Sequence, residues 1–102
     1  MNEDSALSKY LALTIALLSA NSYAAEDSCT KISGLAGTAM QARQEGTLLQ
    51  EALKSAGDGS KFANAMILRA YKYPVAEGKQ QKAAAVTEFR NEAYSECFQM
   101  NP

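Results

Sequence analysis

The sequence predicts an all-α fold: a small four-helix bundle-like domain of three long helices plus one short, closed by a disulfide and preceded by a cleaved signal peptide. Three observations carry that expectation. Apolar residues recur at helical spacing in four segments and nowhere alternate as in a half-buried strand. Gly46, the cluster Gly57-Asp58-Gly59-Ser60 and Pro74 separate those segments. An apolar block near the amino terminus is followed by a chain with one Cys close to each of its ends.

Residues 1–24 have the layout of a secretory signal. Lys9 is followed by the apolar run from Tyr10 to Leu18 and then by the small polar stretch from Ser19 to Ala24. Ser22 and Ala24 suit the small-residue positions of a signal-peptidase site, so the cut is expected between Ala24 and Ala25. Glu3 and Asp4 offset the positive charge usual at the start of such a leader. A membrane anchor needs about 20 apolar residues, far more than the run supplies. Lipid attachment is disfavoured because Cys29 follows Glu26, Asp27 and Ser28 in place of small apolar residues. Residues 25–102 then form one helical domain, expected to be periplasmic or secreted. The full chain carries ten Lys and Arg against eleven Asp and Glu. Losing Lys9 on one side and Glu3 and Asp4 on the other makes the domain formally neutral.

A domain of this size buries only about 60% of its unfolded surface and needs help. In an oxidising compartment Cys29 and Cys97 read as that help, a structural disulfide. Closing a loop of about 69 residues stabilises by about 4 kcal/mol on the chain-entropy model. There is no C-x-x-C, and two Cys without His cannot build a tetrahedral metal site.

The first helix is capped by Asp27 or Ser28 and carries Cys29, Ile32, Ala36, Ala39, Met40 and Arg43 on one stripe; Gly46 closes it. Ser33 and Gly37, at the stripe's flank, offer a place for close approach. Thr47 and Gln50 then have the spacing of a capping box, opening a short helix with Leu48, Leu49, Ala52, Leu53 and Ala56 on its apolar side. The third helix starts near Ser60, with Phe62, Ala65, Met66, Ala70 and Tyr73 facing inward, and ends where Pro74 forbids continuation. The last runs from Lys79 to Gln99 with Val86, Phe89, Ala93 and Cys97 on one stripe, widened by Tyr94 and Phe98. In an up-down-up-down bundle the start of the first helix and the end of the fourth share one end, which suits the Cys pair. Ala is nearly as frequent as all larger aliphatic residues and Phe together, which implies closely spaced helices.

Composition excludes much chemistry. The chain has no His, which removes the commonest general base and zinc ligand. No Ser–Lys or Glu–Glu spacing replaces it, and there is no P-loop, dinucleotide turn or calcium loop. No enzyme activity, cofactor or metal is expected. A neutral domain has no basic face for nucleic acid, and no membrane insertion of the mature form is expected. Glu88, Glu92 and Glu96, four residues apart, read either as a cation or acid/base site or as a solvated face. Arg43, Arg69 and Arg90 fall within apolar stripes. Their guanidinium groups are expected either to tie down Glu51, Glu96 or backbone oxygens, or to converge on an anion. Tyr73 is in phase with the core, whereas Tyr71 points away from it as an exposed contact residue.

Taken together, Cys29, the segment Arg43-Gln44-x-Gly46, the segment Ala70-Tyr71-x-x-Pro74, Phe89 and Cys97 form a pattern over nearly the whole mature chain. It resembles small exported two-cysteine helical proteins of bacteria and their phages. The resemblance implies no activity, but it singles out Arg43, Gln44, Gly46, Tyr71 and Pro74, to which Arg69 and Arg90 are added as candidate interaction residues. The function expected is non-enzymatic binding of an envelope or extracellular macromolecule. The alternative is a periplasmic acid-stress chaperone that exposes its Leu-rich second helix, since such chaperones are also small, helical and held by one disulfide.

Overall fold

The computed structural model describes residues 28–100. The signal peptide, its Ala24–Ala25 cut and Asp27 as a cap lie outside the described residues. Within them the chain forms four α-helices and no strand: α1 (residues 28–44), α2 (Leu49–Ser55), α3 (Lys61–Ala70) and α4 (Lys79–Met100). None is long and apolar enough to cross a membrane.

Gly46 ends α1 as expected. At φ 82° it occupies the left-handed region that side chains disfavour. Its N–H donates to the Arg43 carbonyl at 3.1 Å, and the Thr47 N–H donates to Ala42 at 3.0 Å. That pair of bonds is a Schellman closure. It also explains why the capping box at Thr47 does not form. Thr47 belongs to the closing turn of α1, and the N-cap of α2 is Leu48, which has no side-chain bond to give. The apolar side expected for α2 is only partly buried: Ala52 is fully enclosed, while Leu48 is 66% exposed.

Ser60 caps α3, its Oγ accepting from the Ala63 N–H at 3.1 Å. Asp58 steadies the turn by accepting from the Ser60 N–H at 2.9 Å. The buried face of α3 differs from the expected one. Ala63, Met66, Ile67 and Ala70 point inward, whereas Phe62 and Ala65 are exposed. The preceding turn packs against this face: a Cβ on Gly57 would lie 3.1 and 3.2 Å from the Ile67 and Ala63 side chains. Drawing Ile67 inward turns Phe62 and Ala65 out. The helix also stops at Ala70, four residues before Pro74, leaving it with 10 residues and not among the long ones. Lys72 and Tyr73 donate to Arg69 and Ala70 in tighter turns, at 3.2 and 3.1 Å.

The core sits where the four helices meet, and five of its nine buried members in the main cluster are Ala; Met40, Met66, Ile67 and Phe89 are the larger ones. Ala surfaces bring helix axes close. Gly37 and Ser33 let α1 approach α4: a Cβ on Gly37 would lie 2.7 Å from Arg90 Cδ, and the Ser33 hydroxyl donates to the Arg90 carbonyl at 3.3 Å. The Cys29–Cys97 disulfide joins the first turn of α1 to the last turns of α4, with Cα atoms 5.5 Å apart. Both half-cystines are buried.

Candidate interaction site

Five of the residues singled out by the sequence meet at one corner, where the end of α1 receives the loop after α3. Gln44 is only 3% exposed. Its Nε2 donates to the Pro74 carbonyl at 3.0 Å, and its Oε1 accepts from the Ala76 N–H at 2.8 Å. One buried amide thus satisfies both a donor and an acceptor of the loop backbone. Beside it, Arg43 Nε donates to the Tyr73 carbonyl at 2.8 Å, and the guanidinium lies 5.4 Å from the centroid of the Tyr71 ring. The Tyr71 hydroxyl donates to the Thr47 carbonyl at 2.6 Å. Burial holds the Tyr71 phenol above its ordinary pKa.

The two tyrosines exchange the roles expected of them. Tyr71 is half-buried against the core, and Tyr73 is the exposed one. Helical phase fails for both because α3 has already ended at Ala70.

Tyr73 belongs to a second cluster along the seam of α3 and α4. Arg69 makes a bidentate pair with Glu96, Nη1 to Oε2 at 2.7 Å and Nη2 to Oε1 at 2.6 Å. Nη2 also donates to Glu92. The other Glu92 oxygen accepts from the Tyr73 hydroxyl at 2.9 Å. Beneath them lies Phe89, with the Arg69 guanidinium 5.5 Å from its ring centroid and the Tyr73 ring edge-on at 5.5 Å. The pairing raises the Arg69 pKa further and lowers that of Glu96, in each case chiefly through their hydrogen bond. The Tyr73 phenol is raised, first by its bond to Glu92. Glu92 and Glu96 are therefore anchors for Arg69, not a merely solvated face.

The third arginine, Arg90, lies across α1, its stem over Gly37 and its Nε 3.5 Å from Ser33 Oγ. Arg43, Arg69 and Arg90 thus serve three separate junctions and do not converge. The partners of the first two, a backbone oxygen and Glu96, are among those the sequence suggests.

What the sequence reading missed is a groove. It runs between α3 and α4 with Ile32 of α1 at its floor, encloses about 370 Å³, and is lined by Phe62, Ala65, Met66, Ala93, Cys97 and Met100, with Arg69 and Glu96 as its polar members. The two helices are antiparallel here, since Arg69 faces Glu92 and Glu96 while Phe62 and Met100 share the other end. One signal was available. The apolar arc of α3 spans both Phe62-Ala65 and Ala63-Ile67, wider than one core contact needs. Comparison with known proteins returns no matching family model, no matching curated protein and no matching solved structure.

Proposed function

We propose that this chain is an exported, non-enzymatic helical module that binds a macromolecule of the cell envelope, and that the α3–α4 groove is its contact surface. The supporting observation is a contrast in availability. The polar groups at the Gln44 corner are engaged within the fold, whereas the groove leaves Phe62 52% and Met100 80% exposed. Contiguous exposed apolar surface beside polar groups is the usual mark of an interaction site. The disulfide and the leader-like sequence of residues 1–24 support export. The resemblance to small exported two-cysteine proteins agrees with both.

Two measurements test this reading. The intact mass of protein recovered from a periplasmic extract should equal Ala25–Pro102 less two hydrogens; a mass that includes Met1 overturns export. A photo-crosslinking residue at Ala65 should give a discrete envelope adduct that the same residue at Lys54 does not; equal adducts, or none, remove the groove as the contact surface.

A chaperone role is favoured by one observation, the acid-sensitive Arg69–Glu96 pair at the groove's edge. It predicts that the protein suppresses light scattering by an acid-stressed client. Unchanged scattering at few-fold excess overturns it. Leu48 and Leu49 are already exposed in the folded state, so the second helix need not unfold to present them.

A further inference from the structure

We propose that the occupant of the groove is a basic amphipathic helix of a partner protein. It lays two or three apolar side chains between α3 and α4 and sets a Lys or Arg beside Glu92 and Glu96. The proposal rests on the groove being the contact surface and names what that surface holds.

Shape selects a helix. The groove follows α3 from Phe62 to Arg69 and α4 from Ala93 to Met100, which at helical rise is about 10 Å on each. That is about two turns, the span over which the i, i+3, i+4 and i+7 side chains of an amphipathic helix form one stripe. The open walls argue against a small molecule. Such sites bury most of their ligand, yet Phe62 and Met100 are more than half exposed. A helix brings its own cover and leaves its polar face to solvent.

Charge selects the basic class. At the polar end one guanidinium stands between two carboxylates, with Arg69 Nη1 and Nη2 committed to Glu92 and Glu96. The remaining Glu92 contact is with a neutral donor, the Tyr73 hydroxyl. The cluster therefore carries one negative charge in excess. The other cation of α3, Lys61, stands at the opposite end of that helix. A basic side chain arriving beside Arg69 meets uncompensated carboxylate, and an acidic one is repelled. The groove is thus polarised: apolar toward Phe62 and Met100, acidic toward Arg69. The arriving helix carries its basic residue at one end of its apolar stripe.

The test titrates isotope-labelled, oxidised protein with two end-blocked, Ala-based peptides of about 14 residues. Both carry Leu at i, i+3, i+4 and i+7; one carries Lys outside that stripe and its twin carries Glu. The Lys peptide should shift the amide resonances of Phe62, Ala65, Arg69, Ala93 and Glu96 and bind more tightly than the Glu peptide. Glu96→Gln should narrow that preference by about two- to five-fold, the range for an exposed charge contact. Ala65→Trp, at an exposed position within the groove, should abolish the shifts while the remaining resonances report an intact fold. Equal or tighter binding of the Glu peptide overturns the basic class but leaves the groove as a contact surface. If neither peptide shifts the groove while crosslinking at Ala65 still yields an adduct, the helix proposal alone falls. If that adduct is absent too, both fall.

Discussion

The two ends of the α3–α4 pair solve the same problem in opposite ways. At the Gln44 corner the loop after α3 is held by directed hydrogen bonds: Gln44 donates to Pro74 and accepts from Ala76, Arg43 donates to Tyr73 and Tyr71 donates to Thr47. At the other end the Cys29–Cys97 bond holds α1 to α4, and the apolar side chains beside it are left open. A covalent closure removes the need to bury Phe62 and Met100 for stability. Apolar surface not needed by the fold is what a binding surface requires.

The contrast can be broken most severely at the disulfide. Cys29→Ala with Cys97→Ala releases the ends of α1 and α4 and should cost about 4 kcal/mol, the chain-entropy value for a loop of this length. Thermal melting checks it, with dithiothreitol on the parent protein expected to reproduce the loss. A shift of only a few degrees would mean that α1 and α4 hold together without the bond.

Next comes the corner. Gln44→Leu preserves most of the volume but leaves the Ala76 N–H and the Pro74 carbonyl without their partner, at about 1–3 kcal/mol for each group that water cannot reach. Hydrogen exchange should show the Ala76 amide losing protection, while amides of α4 beside the groove exchange as before. Equal loss at both ends would make the corner and the groove one cooperative unit.

A smaller effect is expected at Gly46. Any side chain at φ 82° is strained, and Gly46→Ala should cost about 1 kcal/mol. Nothing lies within 4 Å of the position a Cβ would take, so the loss is conformational and not a clash. Gly46→Asn, which tolerates the left-handed region better, should recover part of it in urea melts.

These sites also mark how far the sequence could be read. Helix existence was legible because Gly46, Ser60 and Pro74 punctuate it, and α4 was legible nearly to the residue because 22 residues run without a breaker. The Cys pair was legible because a small helical domain with one Cys in its first helix and one in its last gains from tying the two together. Less accessible was which arc of α3 turns inward, since Phe62-Ala65-Met66 and Ala63-Met66-Ile67 are equally helical stripes. Tertiary packing chooses between them, with Ile67 enclosed in the main core cluster and the Gly57 turn set against it. Tyr71 and Tyr73 were misplaced because phase was carried past the end of the helix. The pairing of Arg43 and Gln44 with a loop 30 residues away has no local signature at all. In the structure Arg43, Gln44, Tyr71 and Pro74 build one junction.

The smallest effect separates the ends by charge. Glu96 has its carboxyl pKa lowered, first by the hydrogen bond from Arg69. A lowered folded-state value means that the ionised pair stabilises the fold above the unfolded carboxyl pKa, about 4.3, and that this contribution fades as pH falls through the folded value. Glu96 is about half exposed, with a side-chain accessibility of 51%. Solvent screening therefore limits the effect to no more than about 1 kcal/mol. Stability measured from about pH 6 to pH 3 should fall less steeply for Glu96→Gln than for the parent. High salt should shrink the difference. The hydrogen bonds of the Gln44 corner involve no carboxylate, so the corner should keep its protection as the groove's edge loosens. If the Ala76 amide loses protection over the same pH interval, the separation between a polar junction and a free apolar groove fails.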